Sequence, residues 1–342
     1  MTHRIRWIDS QKGVGIILVL FGHFIEPFRG KSPVFDIVFV VIYSFHMPLF
    51  CVLSGLVAKK NVKKTAIYWT WIYFVYQLLY LFLIKIHYLN YNIMNNRFFD
   101  SFIMPFWHMW YLYAFILWNL SLYLIDGIKN RINKYILVAI SIVVAILTGF
   151  VVLDKGYGMQ RVATFYPLFL VGYLFRDGFF KPFPIRIKVM FGTTFLAIIV
   201  VISLFHNFIN SQALFNNKSY EMGEYNWYGR LMFIIISISL SVCLIIILNG
   251  CRNHYFEAIG VRSLYIFLNH GFIFWFLRQN GYFSAIIDLK SPVIAIVIAL
   301  VALGTSIFFS NKPIISVFEF IYMIPRRMEE TLVNHRFWRN SE

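Results

Sequence analysis

Four ionisable residues share one face of the first apolar stretch of the chain. Lys12 and His23 are eleven positions apart, close to three helical turns, and stand about 16 Å apart along the axis. Asp9 precedes Lys12 by three positions and Glu26 follows His23 by three, a spacing that lets helical side chains pair. A carboxylate beside a histidine fixes its tautomer and favours general-base catalysis. The pattern predicts catalytic roles for His23 and Glu26, and a second functional pair, Asp9 and Lys12, near the cytoplasmic entrance.

Two further apolar segments contain candidate substrate-binding residues, each with a structural alternative. His46 lies just before Pro48, so it either satisfies backbone carbonyls freed by the proline or lines a substrate path. His108 and Trp110 open a later segment, where an aromatic belt at the membrane interface would explain the tryptophan without any function. Polar groups inside a membrane cost about 2.5–3.5 kcal/mol at mid-helix, so each is a functional candidate.

Arg161 and His270 complete the candidate substrate-binding residues. Arg161 either extends to the membrane interface or binds a polar or anionic acceptor. His270 is as well explained by a structural role as by a catalytic one. The sequence contains no P-loop, no GxSxG, no HExxH and no cysteine pair with zinc spacing. We therefore expect no metal and no phosphate-driven or thiol chemistry.

The composition indicates that these residues are positioned by membrane helices. Of the 342 residues, 60% are hydrophobic and 13% are charged, whereas a soluble domain carries roughly 25% charged residues. Such a chain cannot cover itself with polar surface in water. We expect a single integral membrane domain over residues 1–342, with the N-terminal apolar stretch retained as the first helix.

The apolar runs predict an all-α bundle of about ten transmembrane helices, because a spanning helix needs about 20 mostly apolar residues. A shorter run at 314–324 is expected to form a re-entrant or interfacial helix, followed by a cytoplasmic tail at 325–342. The predicted spans are 12–28, 34–58, 66–88, 104–125, 134–153, 162–175, 187–208, 229–249, 261–279 and 291–310.

The basic residues predict that both termini are cytoplasmic. With the N-terminus inside, roughly two thirds of the 31 lysines and arginines fall in inside segments, as the positive-inside rule requires. The net charge of +16 is then explained by attraction to anionic membrane lipids, and nucleic acid is not an expected partner. The polar loop at 207–228 either covers a site that faces outwards or is a plain connector.

The motifs around these residues resemble those of the membrane acyltransferase 3 family, most closely its shorter members akin to fucose 4-O-acetylase. Five motifs occur in the family's order and together extend from residue 9 to 271. They are Asp9-x-x-Lys12-Gly13 with Gly22-His23; Ser44-Phe45-His46-Met47-Pro48-Leu49-Phe50 with Ser54-Gly55; His108-Met109-Trp110-Tyr111-Leu112-Tyr113; Arg161 with Phe165-x-Pro167-x-Phe169-x-x-Gly172-Tyr173; and Gly260-x-x-Ser263-Leu264-Tyr265 with Asn269-His270.

This resemblance implies acetyl transfer across a bacterial inner membrane. Acetyl-CoA would enter from the cytoplasm as the donor, and the acceptor would be a sugar hydroxyl of a lipid-linked or polymeric glycan. The family pattern has a basic residue, usually Arg, ten intervening positions and then His. Lys12 stands in place of that Arg and would attract the CoA phosphates as a point charge. The sequence leaves open whether the protein forms a homodimer.

Two other functional classes are considered beside the acyltransferase. A transporter or flippase for a glycan or a small solute could use the histidines as proton relays. A scaffold or sensor without turnover is the third class, although it gives no reason for so many polar residues inside apolar segments. Binding of acetyl-CoA would discriminate, because a solute carrier does not need it.

Overall fold

A computed structural model describes residues 5–59, 64–87, 104–152, 158–289 and 291–324. Across these residues the chain is helical and contains no strand, as expected for an all-α protein. The α-helices are α1 Arg6–Ile25, α2 Pro33–Tyr43, α3 His46–Val57, α4 Thr70–His87, α5 Trp110–Ile128, α6 Lys134–Leu147, α7 Met159–Phe179, α8 Ile185–Leu204, α9 Ser211–Phe215, α10 Tyr220–Gly223, α11 Trp227–Ile247, α12 His254–Val261, α13 Ser263–Gln279, α14 Tyr282–Ala285, α15 Ser291–Ser310 and α16 over 312–324.

Six helical spans in the described part of the chain are long and apolar enough to cross a membrane, which makes this a multi-pass membrane protein. They are Arg6–Phe28, Pro33–Val57, Trp107–Ile128, Ile185–Leu204, Trp227–Ile247 and Ser291–Ser310. The other four predicted spans coincide with α4, α6, α7 and α13, which are shorter or more polar. In α7 and α13 the polarity comes partly from Arg161 and His270, two of the candidate site residues.

Some sequence predictions fall outside the described residues. These are the tail at 325–342, the first residues of the chain, and several basic loop residues that contribute to the predicted orientation. The loop residues are Lys60, Lys63, Arg97, Lys155 and Lys290.

The second predicted span, 34–58, is confirmed as the candidate span Pro33–Val57, but it consists of two helices rather than one. α2 ends at Tyr43 and α3 begins at His46. Pro48 has no N–H to donate to the carbonyl of Ser44, so a regular helix cannot satisfy that group. Ser237 from α11 donates to the Ser44 carbonyl instead, at 2.7 Å. The break turns the end of α2 and the start of α3 towards α1.

Glycines allow two pairs of helices to pack with their backbones in contact. In the α3–α7 pair, a Cβ at Gly55 would collide with the carbonyl of Phe169, and a Cβ at Gly172 with the carbonyl of Val52. Small residues at helix interfaces commonly permit such close approach in membranes. α1 packs in the same way on α12, where Gly13 faces the Phe256 carbonyl. These contacts fix the positions of α1 and α3, which carry His23 and His46.

The segment between α8 and α11, residues 205–226, folds back over one end of the bundle and is called the cap segment below. Arg230 in α11 anchors it and is fully buried, with 0% of its surface exposed. Its guanidinium donates to the Lys218 carbonyl and the Tyr225 hydroxyl in the cap segment, and to the Ala145 carbonyl and Gln160 Oε1 in α6 and α7.

Tyr225 is a neutral partner for this buried cation. Burial raises the pKa of the Tyr225 hydroxyl above its ordinary value, although Arg230 lowers it in part. The hydroxyl therefore stays protonated and donates to the Lys218 carbonyl at 2.9 Å. Since no described carboxylate forms an ion pair with Arg230, neutral oxygens alone satisfy its charge. Such a network is costly to disrupt, because removing one partner leaves the others buried and unpaired.

Candidate active site

The candidate active site is a cavity at the C-terminal end of α1. Together with its open mouth it holds about 500 Å³ of empty space. Helices distant in sequence contribute to its lining, and the cap segment contributes Leu214 and Phe215. Of the predicted site residues, the cavity brings together His23, Glu26, His46, His108, Trp110 and Arg161.

His23 is held by one hydrogen-bonding partner, Tyr43, and lies close to one carboxylate, Glu26. Its Nδ1 lies 3.3 Å from the Tyr43 hydroxyl oxygen and 3.9 Å from Glu26 Oε2. The Tyr43 hydroxyl donates its proton to Glu26 at 2.9 Å, so it can only accept from His23. The proton of a neutral His23 therefore lies on Nδ1, and Nε2 carries the free lone pair. The predicted pairing of His23 with Glu26 is confirmed, and this is the tautomer that a general base requires.

Two other histidines surround His23 with their tautomers fixed by backbone carbonyls. His46 Nδ1–H donates to the carbonyl of Ile42 at 2.8 Å, and His270 Nδ1–H donates to that of Phe267 at 2.7 Å. His46 thus satisfies the carbonyl of Ile42, which is not the one that Pro48 leaves free, and it lines the cavity, where a role along a substrate path stays a prediction. The carbonyl that Pro48 leaves free, by contrast, is served by Ser237.

His270 lies behind the cavity rather than in its lining. Its ring stacks on that of His23 with centroids 5.4 Å apart and is 4.6 Å from that of His108. His270 Nε2 is buried and has no hydrogen-bond partner among the described residues. His108 is also buried, at 2% exposure, and lies against both the cavity and His270. The three rings form a continuous imidazole cluster on one side of the site.

Arg161 and Trp110 also line the cavity and contact each other. The Arg161 guanidinium lies over the Trp110 ring, 5.1 Å from its centroid, and Arg161 Nε donates to the carbonyl of Phe215 at 2.9 Å. Trp110 is 7% exposed, so a membrane-surface aromatic belt does not describe its position. The Phe215 contact joins α7 to the cap segment. The loop predicted at 207–228 is therefore more than a connector, because it closes part of the site.

Asp9 and Lys12 lie on the same helix as His23 but do not line the cavity. Asp9 Oδ1 is 3.8 Å from Lys12 Nζ, so the pairing predicted from their spacing is confirmed. Because α1 is continuous from Arg6 to Ile25, Lys12 stays about 16 Å from His23 along the axis. Lys12 can therefore contact only a distant part of any molecule whose reactive group lies at His23.

Tyr43 and Trp107 are site residues that the sequence interpretation did not identify as such. Trp107 lies 4.6 Å from His23 and 4.6 Å from Phe274 between ring centroids. Its φ is 37°, in a region that bulky residues rarely adopt and that is often associated with functional sites. The adjacent motif begins at His108, so it gave no signal for Trp107. Tyr43 ends α2 directly before a recognised motif, but only the helix break brings it to His23.

Among the described residues, no group of three or more His, Cys, Asp or Glu side chains could hold a metal ion. The polar groups of the cavity are instead suited to proton transfer, through the Nε2 lone pair of His23, and to binding polar groups, through Arg161. The fold and the cavity together define a multi-pass helical membrane protein with a polar site built around a histidine.

A family model described as an acyltransferase domain matches residues 5–311. The chain therefore belongs to the membrane acyltransferase 3 family, and the protein is a membrane acyltransferase. The family resemblance of the five motifs is thereby confirmed. No curated protein and no solved structure matches the chain.

Proposed function

We propose that the protein is an O-acetyltransferase that moves an acetyl group from acetyl-CoA to a sugar hydroxyl of a cell-surface glycan. The hydrogen-bonded set of His23, Tyr43 and Glu26 carries this proposal, because it leaves His23 Nε2 free to accept a proton. Family membership supports acyl transfer, and the motif resemblance to fucose 4-O-acetylase supports a sugar as the acceptor.

In the proposed reaction, His23 Nε2 takes the proton of the acceptor hydroxyl while the hydroxyl oxygen attacks the thioester carbonyl carbon. The tetrahedral intermediate collapses, the C–S bond breaks, and the proton passes from His23 to the thiolate of CoA. Glu26 and Tyr43 keep the imidazole oriented and stabilise the imidazolium while it holds the proton. General-base assistance of this kind is typically worth about 10²–10⁴-fold in rate.

The donor and the acceptor are proposed to approach from opposite sides of a bacterial inner membrane. In a ten-span, N-in and C-in topology, Lys12 lies near the cytoplasmic entrance and attracts the CoA phosphates, with Asp9 beside it. His46, His108, Trp110 and Arg161 then contact the acceptor, and His270 supports His23 from behind. The distance of about 16 Å between Lys12 and His23 supports this layout, because it separates the phosphate end of the donor from its thioester.

The decisive experiment compares His23→Ala with the parent protein, using labelled acetyl-CoA and glycan from cells that lack the gene. We expect acetyl incorporation to fall by at least about 100-fold while acetyl-CoA binding is retained. His254→Ala is the matched control, since His254 is an exposed histidine on α12 outside the cavity. Near-normal incorporation by His23→Ala would overturn the role of His23, and failure of the parent to bind acetyl-CoA would overturn the proposed function.

A further inference from the structure

We propose that the acceptor carries an anionic group, a carboxylate or a phosphate, which Arg161 and Arg29 bind at the cap side of the cavity. This inference rests on the proposed acetyl transfer and names the acceptor's chemical class. Arg29 was not among the site residues expected from the sequence. Its position follows from the turn Glu26–Phe28, which carries the chain out of α1 and directly past the cavity.

Arg161 has donor capacity left after its contacts within the protein. Its Nε is used by the Phe215 carbonyl, and one face of the guanidinium is covered by Trp110. Its terminal nitrogens form no ion pair with a carboxylate of any other described residue. Since Arg161 lines the cavity, these nitrogens are the available donors of a planar fork that suits a carboxylate or a phosphate.

Arg29 is held beside the same wall by aromatic rings. Its guanidinium carbon lies 5.0 Å from the Phe39 centroid and 5.6 Å from that of Phe215. Its Nη1 is buried and has no hydrogen-bond partner among the described residues. Phe215 thus contacts both arginines, through its ring to Arg29 and through its carbonyl to Arg161.

The charges around this wall do not balance within the described residues. Arg29 and Arg161 both interact electrostatically with Tyr43, which places two cations beside one hydroxyl. The carboxylate in this group is Glu26, and it is already engaged by Tyr43 and His23. Glu26 is also the carboxylate that interacts with both arginines, so two partly buried cations share one counter-ion and one negative charge is missing from the set. A bound anion would supply it.

The missing anion belongs to the acceptor rather than to the donor. Lys12 precedes His23 on α1, whereas Arg29 follows it, so the two cationic positions lie on opposite sides of the proposed base. If the CoA phosphates lie towards Lys12, the anion at Arg29 and Arg161 comes from the other substrate. Two sources share this chemistry, namely a sugar acid next to the acetylated residue and the phosphate that links a glycan to its lipid carrier.

The test measures binding of simple probes to the full-length protein in nanodiscs by thermal shift. Methyl glucuronide and inorganic pyrophosphate represent the two anion sources, and methyl glucoside is the neutral match of the glucuronide. We expect at least one anion to raise the melting temperature, with an effect that weakens as salt is added, and methyl glucoside to have little effect. Whichever anion acts identifies the source.

Arg161→Gln and Arg29→Gln are each expected to weaken anion binding about tenfold or more, the effect of losing one charge-assisted hydrogen bond. Arg278→Gln is the matched control, because Arg278 is exposed and stacks on Trp275 outside the cavity. Retained acetyl-CoA binding shows that each variant is folded. If neither glucuronide nor pyrophosphate stabilises the parent more than methyl glucoside does, or if anion binding is unchanged in both variants, the inference is overturned and the proposed acetyl transfer stays intact.

Discussion

At the scale of single residues, the proton on His23 is positioned by two helices rather than one. Glu26 follows His23 on the same stretch of chain, so the i, i+3 spacing was enough to predict their contact. Tyr43 comes from α2 and bonds to both of them. Because only 6% of the Tyr43 surface is exposed, water does not replace its hydroxyl. The Tyr43 hydroxyl therefore holds the His23 imidazole in one orientation, which the Glu26 carboxylate at 3.9 Å does only weakly.

Replacing Tyr43 by phenylalanine tests this role. Tyr43→Phe keeps the ring but removes the hydroxyl that joins His23 to Glu26. We expect kcat for acetyl transfer to fall about 10- to 100-fold with the KM for acetyl-CoA unchanged, since a hydrogen bond to a charged group contributes about 1.5–3 kcal/mol. Steady-state kinetics with labelled acetyl-CoA measure both constants. Tyr135→Phe, at an exposed tyrosine on α6, is the control, and an unchanged kcat in Tyr43→Phe would refute the proposed orientation.

At the scale of helices, the glycines of the recognised motifs have a packing role. Gly55 and Gly172 let α3 and α7 approach until backbone atoms touch, and Gly13 and Gly260 do the same for α1 and α12. Part of the motif pattern therefore reflects how the site is held together rather than its chemistry. The sequence alone could not show which motif residues serve packing and which serve chemistry, because it presents the glycines and histidines of the motifs alike.

Gly55→Ala is expected to destabilise the protein by about 1–3 kcal/mol, the usual cost of forcing extra atoms into a packed interface. The new Cβ would meet the Phe169 carbonyl, and a backbone atom in a helix cannot move aside cheaply. Gly192→Ala in α8 is the control, because nothing lies within 4 Å of its added Cβ and alanine favours the helix. Thermal unfolding in one detergent compares the two, and equal melting temperatures would show that the α3–α7 contact can relax.

The cap segment is a second element whose position depends on one side chain. Arg230→Met removes the cation that binds the Lys218 carbonyl and the Tyr225 hydroxyl, and leaves Tyr225 as the remaining donor to that carbonyl. Phe215 would then be less firmly held against Arg161. We expect the KM for the proposed glycan acceptor to rise about tenfold or more while the KM for acetyl-CoA stays the same, because the donor is proposed to approach from the other end of α1.

The kinetics of Arg230→Met are best compared with those of Arg278→Met, which removes an exposed arginine from the end of α13. Equal changes in both Michaelis constants would mean that Arg230 stabilises the whole bundle rather than the cap segment. An unchanged acceptor KM would mean that the cap segment does not shape the acceptor site.

At the scale of the whole molecule, sequence patterns predicted side-chain contacts within one helix but not contacts between helices that are distant in sequence. Composition indicated membrane helices, and spacing along α1 paired His23 with Glu26 and Lys12 with Asp9. Pro48 indicated that carbonyls would be freed near His46, but the apolar run from 34 to 58 gives no sign of the Ser237 contact that stabilises the break. Arg29 and Phe215 were missed for the same reason, since neither lies in a motif and they meet only through tertiary packing.

The proposed orientation of the bundle predicts that the two ends of α8 lie on opposite sides of the membrane. Lys181 is exposed just before α8, and Glu221 is exposed in the cap segment after it. Starting from Cys251→Ser, which removes the exposed cysteine, the buried Cys51 and Cys243 should not react with an impermeant maleimide. In intact spheroplasts, Glu221→Cys should be labelled and Lys181→Cys should not, until the membrane is permeabilised.

A permeant maleimide is the control in this labelling experiment and should modify both introduced cysteines. Labelling of Lys181→Cys alone in intact spheroplasts would reverse the orientation and place the cap segment, with Arg29 and Arg161 beside it, on the cytoplasmic side. The donor and the acceptor would then have to exchange sides. Labelling of both from outside would mean that α8 does not cross, although its apolar sequence over 20 residues is long enough to do so. Because only α8 and the short turns beside it separate the two positions, either result would bear on the sidedness of the whole bundle.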